Sequence, residues 1–315
     1  MNWKNKRVLV TGGAGFIPSH VVDALVARGT AVTAFDNLQA GKLENLSAVM
    51  EHLRFIHADL RDADAVMHAV EGQEVIFHLA ANASVPYSLE NPRYDFESNA
   101  LGTFNVLEAA RLHGVGKVIY ASSAAVYGEP KYVPMDESHP LEPCSLYGLS
   151  KLAGEREGFM YLEMFGLGFV PIRIFNTYGP RQPRYVMADL LRKLRNNPHE
   201  LEVLGDGTQI RDYSYVSDTA EAIISAAEDD AMLGQAYNVA GGNPISIRDL
   251  VTLLLDTLNL NGAQVHYTGQ SWKGDITRLM ADMTKIRKAG FEPRVPLQKG
   301  ILKMVEWFQA QEAQG

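Results

Sequence analysis

An α/β fold built on a doubly wound parallel sheet, with a smaller discontinuous C-terminal lobe, is what this sequence predicts. Three observations carry it. Short β-branched runs alternate with helical patterns through residues 1–176, a strand runs into a glycine turn and a helix start at residues 8–19, and the texture changes from Tyr178 onward.

The strands predicted in the first half cover residues 7–11, 31–35, 53–57, 75–79, 117–121 and 168–174. Between the first two, Ile17, Val21, Leu25 and Arg28 follow a helical period, and Gly29 closes that helix. Residues 92–113 read as one long helix with Leu101, Phe104, Leu107 and Ala110 facing inward, and residues 146–164 as another. After Tyr178, residues 179–183 form a loop, Asp206-Gly207 marks a tight turn, and a short strand follows at 211–216. Helices are predicted at 217–228, 246–259 and 296–310. The domain reading that results assigns residues 1–176, with 212–240 returning to them, to a dinucleotide-binding domain, and residues 177–211 and 241–315 to a substrate lobe.

The chain's 315 residues can bury a large core, and 46% apolar with 21% charged residues excludes disordered and collagen-like classes. A net charge of −8 argues against nucleic acid or an anionic membrane surface as a partner. With Cys144 as the one cysteine, no intrachain disulfide can form, and no run approaches the eighteen apolar residues of a spanning helix. A soluble, cytoplasmic protein is expected, and no metal-ligating pattern stands out.

The run Val8-Leu-Val-Thr-Gly12-Gly-Ala-Gly15-Phe-Ile-Pro18-Ser19 is a strand, a turn and a helix start. Gly12 permits the turn, and Gly15 lets backbone amides approach a pyrophosphate at the helix N-terminus. This is the Rossmann-type pattern. Asp36 follows Gly15 by twenty-one residues, at the end of the second strand, where a carboxylate can take both ribose hydroxyls of adenosine. A 2′-phosphate would meet that charge, so NAD rather than NADP is the expected cofactor. Pro18 stands where the fingerprint's third glycine normally lets the helix pack closely; a locally shifted helix with NAD retained is expected.

Tyr147 and Lys151 stand four apart at the start of a predicted helix, which puts them on one face. An ammonium beside a phenol favours the phenolate and makes a proton acceptor usable near neutral pH.

Several motifs fall in one order: Thr11-Gly-Gly-Ala-Gly-Phe-Ile17, Phe35-Asp-Asn-Leu38, Asp59-Leu60, His78-Leu-Ala-Ala81, Asn99 with Gly102-Thr103, Ser122-Ser123 before Val126-Tyr-Gly128, Tyr147/Lys151, and Arg173-Ile-Phe-Asn176 before Tyr178-Gly-Pro-Arg181. In these the chain, nearly end to end, resembles the extended short-chain dehydrogenase/reductase family, in its group of nucleotide-sugar epimerases and dehydratases similar to UDP-glucose 4-epimerase. The resemblance implies an NAD site lined by Gly12, Gly15, Phe16, Ile17, Asp36, Asn37, Leu79, Ala80 and Ala81. Asp59 and Leu60 would contact the adenine, and Asn99 would lie near the nicotinamide. Ser123 would hydrogen-bond the sugar hydroxyl and relay its proton to Tyr147, while Lys151 would also hold the nicotinamide ribose. Ser84, Ser123, Tyr147, Asn176, Arg211 and Asp275 would meet the nucleotide sugar, Arg211 through its pyrophosphate and Asp275 through its ribose. Trp272-Lys-Gly-Asp275 stands where the family usually has Arg-Pro-Gly-Asp, so a second pyrophosphate arginine is missing, with Lys273 or Arg278 as substitutes. A homodimer through the two long helices is also implied.

Related 4,6-dehydratases carry an Asp-Glu pair after the serine, and the decarboxylases a glutamate. Here Ala124 and Ala125 fill those places, and neither can transfer a proton. The expectation is therefore C4 epimerisation of a nucleotide hexose, UDP-linked before dTDP, CDP or GDP, by oxidation and re-reduction in place. Three rivals stay open. They are a dehydratase or decarboxylase using Glu129 or Glu137, a 3,5- or 2-epimerase using Cys144 as base, and a catalytically silent NAD-sensing protein.

Overall fold

The structure, a computed structural model, describes residues 1–270 and 276–312. Its strands are β1 (Arg7–Thr11), β2 (Ala31–Asp36), β3 (Leu53–His57), β4 (Val75–His78), β5 (Lys117–Ser123), β6 (Gly168–Ile174), β7 (Asn176–Tyr178), β8 (Glu200–Val203), β9 (Ile210–Tyr215), β10 (Tyr237–Val239), β11 (Pro244–Ser246), β12 (Gln264–Tyr267) and β13 (Arg278–Leu279). The helices are α1 (Phe16–Ala27), α2 (Ala63–Val70), α3 (Val85–Glu90), α4 (Pro92–Phe96), α5 (Gly102–Leu112), α6 (Leu146–Phe165), α7 (Val186–Asn196), α8 (Val216–Glu228), α9 (Ile247–Leu258), α10 (Thr284–Lys288) and α11 (Leu297–Glu312).

Seven strands form the main sheet in the order β10-β6-β5-β4-β1-β2-β3, all parallel. This is the predicted doubly wound arrangement. Such strands are covered on both faces, so their residues alternate between two cores rather than between core and water. In β1, Val8 and Val10 join the core under α1 and α8, while Leu9 joins the one under α2, α5 and α6. The strand order reverses between β1 and β4, so a crevice opens at their C-terminal ends, the place where open α/β sheets bind ligands.

From β7 onward a third apolar core gathers Met187, Leu190, Leu191 and Leu194 of α7, Leu201 of β8, Leu250 and Leu254 of α9, and Ile301 and Met304 of α11. It covers a small sheet in which β9 pairs with β7, β11 and β13. α8 packs back on α1, and β10 completes the edge of the main sheet. No helix among the described residues is long and apolar enough to cross a membrane.

Two expectations need correction. Residues 92–113 are not one regular helix: α4 and α5 are joined by a π-helical turn at Glu97–Leu101. Nor do Leu101 and Phe104 face inward; they are 38% and 44% exposed while Leu107 and Ala110 are fully buried. Residues spaced by three drift about 60° per step around a helix of 3.6 residues per turn, so a stripe that starts at Ala110 has rotated outward by Leu101. Ala100 and Thr103 take the inward places instead.

Candidate active site

The dinucleotide turn follows β1. Gly12 has φ +70°, and a Cβ there would lie 2.9 Å from the Ala80 backbone, so a side chain is excluded by both conformation and space. Gly15 is the N-cap of α1 and brings no side chain to satisfy the first-turn amides, which leaves those N–H groups and the positive end of the helix for an anion. α1 runs on through Pro18, with the Ser19 N–H donating to Gly15 O at 3.2 Å. Proline costs little here because a third-position N–H has no partner inside the helix.

Asp36 ends β2 and is 6% exposed. Burial pushes its carboxyl up, against the Leu38 and Ala14 N–H groups, which donate to it at 2.7 and 3.0 Å, and the charge of His57. Each carboxylate oxygen keeps a further lone pair for a ribose hydroxyl. The glycine cradle, the uncapped helix start and this carboxylate together fit a dinucleotide. Thr11 ties the edge of this crevice, its Oγ1 accepting from the Leu79 and Ala80 N–H groups at 3.1 Å each. Phe16 and Ile17 are half-buried in the first turn of α1, and so are Ala80 and Ala81 after β4.

Other expected cofactor residues are spent on the chain itself. Burial raises Asp59, but hydrogen bonds from Arg61 and from Asn37 outweigh it and hold the carboxyl at about 2. Leu60 is buried, its carbonyl accepting from Asn105 at 2.8 Å. Asn99, in the π-helical turn, is 1% exposed; it accepts from the Asn82 N–H at 2.7 Å and donates to Asp95 at 3.1 Å and to Ser150 at 3.0 Å. It braces the π turn against α6 and the segment after β4. Ser84 caps α3, its Oγ accepting from the Tyr87 N–H.

Ser123 ends β5 and Tyr147 lies in the first turn of α6, brought together because α6 starts hard against the turn after β5. A Cβ on Gly148 would lie 2.5 Å from the Ala125 carbonyl oxygen, so only glycine permits that approach. Ser145 caps α6, accepting from the Gly148 N–H at 3.0 Å. The Ser123 Oγ accepts from the Ala125 N–H at 3.2 Å, and Ser123 is one of the groups that favour ionisation of the Tyr147 phenol.

The expected action of Lys151 on Tyr147 is not what the structure has. Burial pushes the Tyr147 phenol up, with the Tyr185 phenol adding to it; Ser123 and Arg184 are the groups that pull it down. No hydrogen bond joins Lys151 to Tyr147 among the described residues. Lys151 is 1% exposed, its Nζ 4.3 Å from the centre of the Tyr120 ring. Burial lowers it to about 7, with the charges of Asp95 and Glu155 opposing. Behind it, Glu155 accepts two parallel hydrogen bonds from Arg173, at 2.9 and 2.8 Å, and a third from Ser122 at 2.5 Å.

Across the crevice, Asn176 in β7 has its side-chain nitrogen buried with no protein partner, a donor left over for something else. Arg211 in β9 donates to the Ile210 carbonyl at 2.8 Å. Asp275 lies outside the described residues, as do Trp272 and Lys273. Arg278, in β13, is exposed. Cys144 is an exposed free thiol, Glu129 is exposed, and Glu137 is engaged by the Asn238 N–H at 2.8 Å.

The sequence reading missed Tyr185, whose O–H donates to the Ala83 carbonyl at 2.6 Å and whose phenol bears on Tyr147. Nothing in its sequence neighbourhood announces this. It also missed Asp95, although its place four residues before Asn99 on a helix was a usable signal.

Comparison with known proteins agrees with this geometry. Residues 8–240 match the model of the NAD dependent epimerase/dehydratase family. The chain is 38% identical over 310 residues to the UDP-glucose 4-epimerase of Mycolicibacterium smegmatis, covering 96% of this chain and 98% of the relative. Among solved structures, a UDP-N-acetylglucosamine 4-epimerase from Methanobrevibacter ruminantium superposes with TM-score 0.92 at 36% identity, covering 98% of this chain and 99% of that one. A dTDP-glucose 4,6-dehydratase from Streptomyces venezuelae with NAD bound gives TM-score 0.91 at 33% identity, covering 98% of each. With its glycine cradle and its Asp36 in place, the chain belongs to the NAD dependent epimerase/dehydratase family, and NAD is its cofactor.

Proposed function

We propose that this protein is a nucleotide-sugar 4-epimerase acting on a UDP-hexose. The observation that carries the reading is a Ser123–Tyr147 pair followed by Ala124 and Ala125, a proton-transfer pair with no carboxylate in the segment after the serine. Of the two rival acids, Glu129 is exposed and Glu137 accepts from the Asn238 N–H at 2.8 Å. Relatives of both kinds, epimerase and dehydratase, share the fold, so the reading rests on the local acid–base inventory.

When bound, NAD supplies the acceptor and then the donor of a hydride at C4 of the sugar, and its nicotinamide ring brings a positive charge. Tyr147 takes the 4-hydroxyl proton, with Ser123 bridging the two oxygens, and gives it back once the 4-keto sugar has turned over. Lys151 holds the nicotinamide ribose. Gly12, Gly15 and the start of α1 hold the pyrophosphate of NAD, and Asp36 the adenosine ribose, with Phe16, Ile17, Asn37, Asp59, Leu60, Leu79, Ala80 and Ala81 lining the rest. Asn99 acts as the brace that keeps Asn82 and Ser150 in place. The substrate lobe, residues 177–211 and 241–315, anchors the nucleotide through Arg211 and Asp275, with Asn176 and Ser84 nearer the sugar.

The working unit we propose is a homodimer. Phe96, Leu101, Phe104, Leu112, Met160 and Met164 are exposed apolar side chains on α4, α5, α6 and the π-helical turn between α4 and α5, the kind of surface a second subunit covers. Incubation of the protein with a panel of nucleotide sugars, with products identified by NMR, tests the function. Conversion of UDP-glucose or a related UDP-hexose into its C4 epimer is expected; a dehydrated or decarboxylated product would replace this reading with another of the same fold.

A further inference from the structure

Residues 179–186 cross the mouth of the crevice and are tied down on both sides. On one side they are fixed to α1: Arg181 meets Asp23 at 2.8 Å and Ser19 Oγ at 3.1 Å, and His20 Nε2 lies 3.1 Å from the Pro180 carbonyl oxygen. On the other side a single side chain reaches over. Tyr185 donates its phenolic hydrogen to the Ala83 carbonyl at 2.6 Å, joining the loop before α7 to the segment that follows Ala80 and Ala81.

The backbone at Tyr185 has φ +81° and ψ 166°, a region almost reserved for glycine. Two contacts hold it there, the phenol on Ala83 and the Asp189 N–H on the Tyr185 carbonyl at 2.9 Å, which opens α7. Release of the phenol frees the residue to relax. Tyr185 is 50% exposed, with the Arg184 guanidinium 5.4 Å from the centre of its ring, so it stands at the boundary between site and water. The segment it latches leads into α3, which packs against α6, the helix that carries Tyr147, and the Tyr185 phenol disfavours ionisation of Tyr147.

We propose that Tyr185 is a positioning residue of the sugar subsite: its phenol latches residues 179–186 onto the 81–84 segment, confines C4 of the sugar against Ser123 and Tyr147, and retains the 4-keto sugar until it is reduced again. The proposal rests on the 4-epimerase reading. A sugar that has given its hydride to NAD⁺ and its proton to Tyr147 is a neutral ketone, held only through its nucleotide and by whatever closes the site. If it escapes, the cofactor stays behind reduced and that site is silenced.

Tyr185→Phe removes the latching hydrogen and little else; Tyr185→Gly removes the ring and suits the backbone angle. Both variants are expected to fold and keep NAD, Tyr185→Gly melting no lower than wild type. In both, kcat/KM for epimerisation should fall by about tenfold or more, because a loosened reactive geometry costs on that scale. Borodeuteride should trap free 4-keto sugar, and reduced nicotinamide should accumulate on the protein during turnover. Hydrogen exchange over residues 179–186, read by mass spectrometry, should speed up in Tyr185→Phe whether or not sugar is present. If wild type epimerises while both variants match it in rate and release no 4-keto sugar, the latch is wrong and the 4-epimerase reading stands. Loss of activity in Tyr185→Gly together with a lower melting temperature and no escaped ketone would mean a structural role and overturn the proposal. Unchanged exchange in Tyr185→Phe would overturn it as well. A wild type that epimerises no nucleotide sugar would bring down the 4-epimerase reading, and with it the sugar-retaining role.

Discussion

Lys151 lies one helical turn past Tyr147, yet its ammonium rests 4.3 Å from the centre of the Tyr120 ring and makes no hydrogen bond to the Tyr147 phenol. Tyr120 in turn donates to the Lys151 carbonyl at 3.4 Å, so ring and helix fix each other. An aromatic face attracts a cation while offering it little solvation. The lysine is held as a buried, easily discharged cation, with Asp95 and Glu155 as the charges that keep its proton within reach.

This arrangement has a signature in stability against pH. Burial brings Lys151 down to about 7 in the folded chain from its ordinary 10.5. Between those values the unfolded chain binds a proton that the folded chain does not, so this group makes stability rise with pH across the window. Lys151→Met removes that contribution. Urea midpoints of the NAD-free protein at the two ends of the window should increase more in wild type than in the variant; equal changes would contradict the burial account.

Tyr147→Phe tests the proton acceptor. Turnover should fall by about 10²–10⁴, the usual worth of a positioned acid or base. NAD content should be unchanged, and stability should shift by no more than about 1 kcal/mol. Steady-state assays with nucleotide released from denatured protein check both.

Asp36→Asn tests the cofactor side. The amide cannot accept from both Ala14 and Leu38 as the carboxylate does, and it repels no 2′-phosphate. NAD should bind more weakly and the preference over NADP should shrink or invert. Fluorescence titration with both nucleotides measures it, and an unchanged preference would assign the discrimination to another group.

Glu155 and Arg173 form a buried pair, with side chains 1% and 4% exposed. Removing one partner strands the other charge, so Glu155→Gln should cost about 3–5 kcal/mol. Adding Arg173→Met to that variant should recover much of the loss. Urea unfolding of the single and double variants reads this directly.

Much of this molecule is written locally in the chain. Val8 to Thr11, Val75 to His78 and Gly168 to Ile174 are strands because largely apolar runs have to be covered on both faces. α7 was equally legible: Met187, Leu190, Leu191 and Leu194 repeat at helical spacing, a pattern overlooked between a loop and a turn signal. Gly12, Asp36, Ser123 and Tyr147 are readable because a turn, a strand end and a helix start fix their places. What could not be read depends on residues far apart in sequence. Tyr185 reaches Ala83 across 102 residues, and Lys151 finds Tyr120 rather than Tyr147. The upward shift of the Tyr147 phenol comes from burial by several segments at once, whereas spacing along one helix reports only the neighbour a turn away.

The most direct test of C4 epimerisation is product NMR after turnover of a UDP-hexose in deuterated water. Hydride leaves C4 and returns to it within the site, so the two C4 epimers should interconvert with no deuterium on any ring carbon and no change in oxygen count. Deuterium at C5, or a product lighter by one water, would contradict the account, because either requires a C5 acid–base pair where this chain has Ala124 and Ala125.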